Sequence, residues 1–340
     1  MSVPLRDVTV DLVVPTVGRP SLADLLADLT REDGMPVASV TVVDDRPEPR
    51  PDEVLDLVRR TADGRSVAHR VLATGGSGPA AARNAGWRAG RARWVVFLDD
   101  DVRLRPGWGT ALAHDLAAAD RGGVVGAVRG RLRVPLPDDR PPTDWERQVG
   151  ALANAPGWLT ADLAVRRSLL EQIGGLDERF PRAHREDTDL ELRARAAGWT
   201  DTVGRRAVDH PVGPADRWTS LRRQRGNADD VLLARLHGPD WRQRIGEPPG
   251  AFRHHVLTTA AGGVALAALA ARRPRVAAAA AAAWAALTAR FAWTRIAPCP
   301  RDRSEIATMA ATSVAIPPAA VYHRLAGHWR WRHVHPPRGG

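Results

Sequence analysis

Over the first 120 residues, short runs that are apolar on both faces alternate with stretches of helical spacing. The β-rich runs fall at 8–14 (VTVDLVV), 39–43 (SVTVV), 69–72 (HRVL) and 94–98 (WVVFL). Between them, 21–30 (SLADLLADLT), 52–61 (DEVLDLVRRT) and 79–91 (PAAARNAGWRAGR) repeat apolar residues every three or four positions. Strands that are apolar without alternation are buried on both faces, and a helix of about ten residues between two of them makes a βαβ crossover. The pattern therefore predicts an α/β fold, a mostly parallel central sheet flanked by helices. Ser21 after Pro20 and Pro106 near a first turn are placed as helix starts.

Beyond 120 the pattern is mixed. Residues 124–134 (VVGAVRGRLRV) predict a strand and 135–144 (PLPDDRPPTD) a loop. Helical stretches are expected at 163–173, stopped by Gly174-Gly175, and at 188–197, stopped by Gly198. From 241 the composition shifts. Residues 256–271, 276–289 and 306–321 are Ala-rich apolar stretches separated by Arg-bearing joints. Two regions are expected, an α/β domain over 1–245 and a helical region over 246–340.

Charge follows the same division. Of the net +10, residues 241–340 hold 14 arginines against three acidic residues, while 1–240 hold 35 against 36. A nucleic-acid binder carries its positive field on the recognition surface, so the near-neutral larger part argues against nucleic acid as a partner. No lysine occurs, so every side-chain cation that stays charged at neutral pH is a guanidinium. The single cysteine, Cys299, forms no internal disulfide, and no Cys/His array has zinc spacing. The N-terminus lacks the basic start and long apolar stretch of a secretion signal, which predicts a cytoplasmic location.

In such a sheet, ligands bind beyond the carboxyl ends of the strands. Those ends read Pro15-Thr16-Val17-Gly18-Arg19, Asp44-Asp45-Arg46, Thr74-Gly75-Gly76-Ser77-Gly78 and Asp99-Asp100-Asp101. Three adjacent carboxylates after an apolar strand repel one another, and a hard divalent cation such as Mg²⁺ or Mn²⁺ offsets that cost. In extended backbone Asp99 and Asp101 face one way and Asp100 the other. A second cluster, Glu186-Asp187-Thr188-Asp189, reads both as an acidic helix start and as a source of a general base.

With both clusters in place, residues 15–230 resemble the family 2 glycosyltransferases of the GT-A fold. The resemblance rests on VVPTVGRP (13–20), VVDDR (42–46), GPAAARNAG (78–86), FLDDDV (97–102) and TADLAVRRSLLEQIGGLDERFPRAHREDTDLELRARAAG (160–198), in order. It implies a nucleotide-sugar donor, a divalent metal and inversion at the anomeric carbon. On this chain it places Pro15, Thr16 and Arg19 along the nucleotide site, Asp44 or Asp45 on the base, and Arg83 near the ribose and diphosphate. Asp99 and Asp100 join the donor site, Asp99 and Asp101 hold the metal, and His210 completes its shell. Asp187 is the expected base toward the acceptor hydroxyl, with Glu186 beside it. The acceptor is expected to be a glycan, a lipid-linked molecule or a small molecule.

Some features depart from the family or stand outside it. Asp162 replaces a frequent Asn, which predicts a more acidic acceptor side. The Gln-x-x-Arg-Trp signature of processive members is absent, which favours non-processive transfer. Arg223 and Arg225 are read as a solvated basic helix before diphosphate contacts. Trp145 and Trp158 are read as packing residues before acceptor-stacking ones. Rival readings are a retaining transferase, a nucleotidyltransferase on a similar sheet, and a degenerate nucleotide-binding scaffold.

The three C-terminal apolar stretches run 16, 14 and 16 residues, short of the ~20 that span a bilayer. A simple crossing would also export Arg272, Arg273 and Arg275. Peripheral contact of 246–340 with the cytoplasmic face of a membrane is therefore expected, with a soluble helical subdomain as the alternative.

Overall fold

The structure, a computed structural model, describes residues 8–61 and 68–335. The opening residues that bear on a leader, 1–7, and the end of the basic tail, 336–340, lie outside the described residues. Two compact units are present. One runs up to Pro135 and resumes over Leu152–Gly213; the other comprises Leu136–Ala151 and the chain from Pro214. Compactness thus divides the chain at 213/214, not at the composition break near 245. It also assigns the segment 136–151 to the helical unit.

The first unit contains strands β1 (Val10–Thr16), β2 (Val37–Asp44), β3 (Ala68–Ala73), β4 (Trp94–Leu98), β5 (Arg103–Leu104), β6 (Val125–Arg133), β7 (Asp162–Arg166) and β8 (Thr200–Asp209). Its helices are α1 (Ser21–Arg31), α2 (Pro51–Thr61), α3 (Pro79–Ala89) and α4 (Trp108–Arg121). After α5 (Asp144–Gly150), which belongs to the second unit, come α6 (Arg167–Ile173) and α7 (Glu186–Ala196).

The sheet order is β3-β2-β1-β4-β7-β6-β8-β5. Strands β3, β2, β1 and β4 are parallel, as the βαβ pattern predicts. Farther along, the sheet is mixed: β7 runs antiparallel to both β4 and β6, β8 is parallel to β6, and β5 is antiparallel to β8. The helix expected over 163–173 is in fact strand β7 followed by α6. DLAVR is buried at every position between two strands, and a five-residue run with only three apolar positions carries no periodicity that separates strand from helix.

Alternation along the central strands builds two cores. Val10, Leu12 and Val14 of β1, with Trp94, Val96 and Leu98 of β4, pack on one face against Leu22, Leu25 and Leu29 of α1. Val13, Val95 and Phe97 point to the other face and meet Ala82 and Trp87 of α3. The helix can approach that closely because position 86 is glycine. A Cβ there would lie 2.3 Å from Cγ1 of Val13.

The second unit adds α8 (Thr219–Arg222), α9 (Asn227–His237), α10 (Trp241–Arg244), α11 (Phe252–Ala270), α12 (Pro274–Ile296) and α13 (Arg303–Arg330). A buried ion pair ties α5 to α12: Arg295 donates to Asp144 at 2.6 Å and to Thr312 and Ser313 of α13 at 2.9 and 3.0 Å. This pair is one of several bonds that join 136–151 to the helices. Arg223 donates to Gln148 and lies over the Trp145 ring, an internal use of its fork.

The helices outrun the apolar stretches that the sequence marks, reaching 19, 23 and 28 residues. The expectation that all three are too short to span therefore fails for α12. Among the described residues it is the one helix long and apolar enough to cross a bilayer, by length and composition alone. Leu266 (71%), Leu269 (66%) and Trp293 (68%) of α11 and α12 are exposed.

Candidate active site

The sheet order places β1 between β2 and β4, where crossovers leave in opposite directions and a crevice opens at the carboxyl ends. Antiparallel β7 delivers its amino end to the same place. Asp162 lies opposite Leu98, so Thr160-Ala161 stand beside Asp99, whose amide donates to the Ala161 carbonyl at 3.4 Å. Strand β8 runs parallel to β6 and stops there too, with the His210 amide bonded to the Arg133 carbonyl at 2.7 Å. These ends enclose a cavity of about 380 Å³ that brings together Pro15, Thr16, Arg19, Asp45 and Arg83, the three aspartates 99–101, Glu186, Asp187 and His210.

Asp100 acts as the anchor of the first strand end. It accepts from the Thr16 hydroxyl at 2.6 Å and from Arg19 at 2.7 Å. Arg19 also reaches Asp101 at 3.2 Å. The two carboxylates after β2 separate. Asp44 is fully buried and does not line the cavity. It accepts from Arg46 and from the Arg50 amide, and these hydrogen bonds outweigh burial and hold it below the usual carboxylate range. Of the alternative Asp44 or Asp45, the structure thus brings only Asp45 to the cavity. There the Gly-rich loop closes on it through Thr74 Oγ1 at 2.7 Å and the Gly78 amide at 3.0 Å. Gly78 has φ of 99°, which a side chain would strain, and an added Cβ would press on the Pro181 carbonyl at 3.2 Å.

Arg83 connects the two acidic clusters. Fully enclosed, it donates to Asp99 at 2.7 Å and to Glu186 at 3.1 Å. Burial works against its charge, and Asp99 and Glu186 outweigh burial and hold the guanidinium above its usual range. Its fork, expected on the ribose and diphosphate, is therefore engaged by protein carboxylates. Glu186 and Asp187 open α7 behind Arg185, a non-glycine residue at φ 77°. Backbone strain of that kind persists where the surroundings over-determine it. Burial, with Asp187 adding to it, raises Glu186 to about 8. Burial also raises Asp187, against the hydrogen bond from the Thr188 amide at 2.7 Å.

Asp99, Asp101 and His210 each offer an atom within 4.8 Å of the others. Nε2 of His210 is 3.6 Å from Oδ1 of Asp101. That oxygen and His210 Nδ1 are both buried without a hydrogen-bond partner. Burial and Asp99 raise the Asp101 carboxyl above its ordinary range, with His210 and Arg19 pulling the other way. An orphaned carboxylate oxygen beside a second carboxylate and an imidazole is an oxygen-and-nitrogen donor set, and it fits a divalent cation of the Mn²⁺ or Mg²⁺ type.

Other expectations resolve differently. Asp162 does not add free negative charge, because Arg206 donates to it at 2.8 Å and Trp108 at 2.9 Å. Trp158 is a core residue. Leu132, Leu152 and Leu159, which form an apolar wall of the cavity, were not legible in the sequence because two separate segments, β6 and 152–159, supply them.

Residues 11–172 match the family model described as Glycosyl transferase family 2. Two curated relatives, N-acetylglucosaminyl-diphospho-decaprenol L-rhamnosyltransferases of Mycobacterium tuberculosis strains CDC 1551 / Oshkosh and ATCC 25618 / H37Rv, are each 29% identical over 131 residues. The match covers 31% of this chain and 42% of each relative. The chain thus spans well under half the length of the curated relatives it matches. Among solved structures, the mannosyltransferase PcManGT from Pyrobaculum calidifontis, in complex with GDP-Man and Mn²⁺, shares the fold with a TM-score of 0.54. It is 21% identical, and the match covers 94% of this chain and 87% of that one.

Proposed function

We propose, from the match of residues 11–172 to the family model described as Glycosyl transferase family 2 and from the shared fold, that this chain is a metal-dependent inverting glycosyltransferase of that family, with Asp187 as general base. The observation that carries this reading is the enclosure of the Asp99/Asp101/His210 donor set and the Glu186/Asp187 pair in one cavity, joined by Arg83.

Each side chain has a task. Thr16 and Asp45 shape the nucleoside end, and Asp100 holds Thr16 and Arg19 in place. Arg19, half-exposed at the cavity mouth, is the guanidinium with room to meet diphosphate oxygens. Asp99, Asp101 and His210 would hold the cation. When bound there, it supplies charge neutralisation for the departing nucleoside diphosphate. Asp187 accepts the proton of the attacking hydroxyl, and direct displacement inverts the anomeric carbon. Glu186, raised to about 8, keeps its proton near neutral pH and leaves the base role to Asp187. Arg83 positions Glu186 against Asp99.

The donor is a nucleotide sugar, and transfer is non-processive. The acceptor is a glycan, a small molecule or a lipid-linked molecule. The curated relatives' names specify a diphospho-decaprenol acceptor, which supports the lipid-linked case. Exposed apolar residues on α11 and α12 support peripheral contact of 246–340 with the cytoplasmic face of a membrane. Calorimetric titration with UDP, GDP and dTDP, each with Mn²⁺ and then with EDTA, tests the donor site. Binding of one nucleotide that EDTA removes is expected. Binding of none by the folded protein would overturn the reading in favour of a degenerate scaffold. Proton NMR of the product's anomeric centre separates inversion from retention.

A further inference from the structure

Beside the catalytic cavity lies a groove of about 540 Å³ that shares Leu132, Leu152 and Leu159 with it. Its wall is the last part of β6. Strand β7 pairs with β6 only over Ala127–Arg129, while β8 continues to pair with it as far as Arg133. Past Arg129, one edge of β6 therefore has no strand partner among the described residues, and the segment 152–159 faces it across the groove.

Three arginines at alternate positions, 129, 131 and 133, line this groove. Arg129 is committed to the fold, ion-paired with Asp201 at 2.9 Å and donating to the Pro156 carbonyl at 3.0 Å. Arg131 is not. Its Nε donates to the Gly204 carbonyl at 3.1 Å, and its terminal nitrogens meet no carboxylate among the described residues. Arg133 is 61% exposed, and its Nε stands 3.9 Å from Asp209, beyond hydrogen-bond reach. The one acidic residue lining the groove, Asp162, is already compensated by Arg206.

The neighbouring cavity has the opposite sign, with five aspartates besides the protonated Glu186 against Arg19 and Arg83. An oxyanion without an accompanying cation is repelled from that cavity and drawn to the groove next to it. We infer that the groove is a subsite for a phosphate or diphosphate group on the acceptor, held by Arg131 and Arg133 while the acceptor hydroxyl reaches across the leucines to Asp187. The word acceptor rests on the glycosyl-transfer reading; the anion site itself does not. Two guanidinium forks suit phosphate oxygens, and a lipid-linked diphosphate and a soluble sugar phosphate present the same oxyanions.

The test is binding to the full chain in EDTA, which removes capture by a metal in the acidic cavity. The probes are inorganic pyrophosphate, glucose 1-phosphate, and phosphatidylcholine vesicles carrying a polyprenyl diphosphate. Arg131→Gln/Arg133→Gln is compared with Arg59→Gln/Arg60→Gln, which removes the same charge from the exposed end of α2. The groove variant is expected to bind pyrophosphate roughly tenfold more weakly than the control variant, and the second and third probes show which source is held. Arg133→Gln alone, which removes no hydrogen bond of the fold, is expected to lose roughly threefold. Equal affinity for all three probes in the groove and control variants would overturn the inference. The nucleotide titration reports on glycosyl transfer separately, so either reading can fall without the other.

Discussion

Nε2 of His210 and Oδ1 of Asp101 lie 3.6 Å apart, although one follows β8 and the other follows β4. Neither the Asp101 oxygen nor the other imidazole nitrogen has a hydrogen-bond partner. Asp101→Asn and His210→Gln should each weaken Mn²⁺ binding, roughly tenfold or more for the carboxylate, measured by calorimetry with metal alone. Unchanged Mn²⁺ affinity in both would dismiss the donor set.

Asp187→Asn removes the proton acceptor and little volume. It should leave metal-dependent nucleotide binding nearly intact while lowering kcat by roughly 10²–10⁴-fold. Transfer at the wild-type rate would assign the base elsewhere.

Glu186 supplies a pH signature. Its carboxyl is raised from the ordinary value to about 8 in the folded chain. An acid raised on folding contributes stability that is complete below its unfolded pKa and is lost as pH climbs through the folded one. Between about pH 4.5 and 8 the wild type should therefore lose stability that Glu186→Gln retains. Thermal melts across that window should show a difference of the order of several °C, and parallel curves would refute it.

Gly86 sets two effects against each other. Alanine improves helix propensity by about 1 kcal/mol, yet its Cβ would sit 2.3 Å from Val13 Cγ1. Overpacking of that kind costs about 1–3 kcal/mol, so Gly86→Ala should lower the urea midpoint. A stabilised variant would show that α3 can retreat from the sheet.

The membrane reading is better tested by substitution than by truncation. Cutting at 246 would strip Arg295 from the buried Asp144, leaving an unpaired charge inside the helical unit. Leu266→Gln/Leu269→Gln/Trp293→Gln should instead reduce co-sedimentation with vesicles containing anionic lipid. Undiminished sedimentation would remove α11 and α12 as the contact.

Strand ends were legible in the sequence because runs such as WVVFL followed by three aspartates combine burial with polarity in one direction. Strand β7 was not, since DLAVR is too short to show a period and its reversed direction is a tertiary choice. The pair Asp44-Asp45 could not be resolved from residue types alone. Neighbouring residues on a strand face opposite ways, and only the Arg46 and Gly78 contacts decide which carboxylate meets the cavity. Arg83 was expected beside the ribose and diphosphate, and its bonds to Asp99 and Glu186 were not legible, because Glu186 reaches it from a distant part of the chain.

The open margin of β6 has a second implication. Unpaired strand backbone over 130–133 is a template on which another chain's strand can add, and such margins promote aggregation unless charge guards them. Arg131 and Arg133 stand on that margin. Aliphatic replacements there would leave a β-prone run, VRGRLRV, with fewer gatekeepers. Glutamine, not valine, is therefore the substitution that isolates their affinity for an anion without adding a β-prone side chain to an open edge.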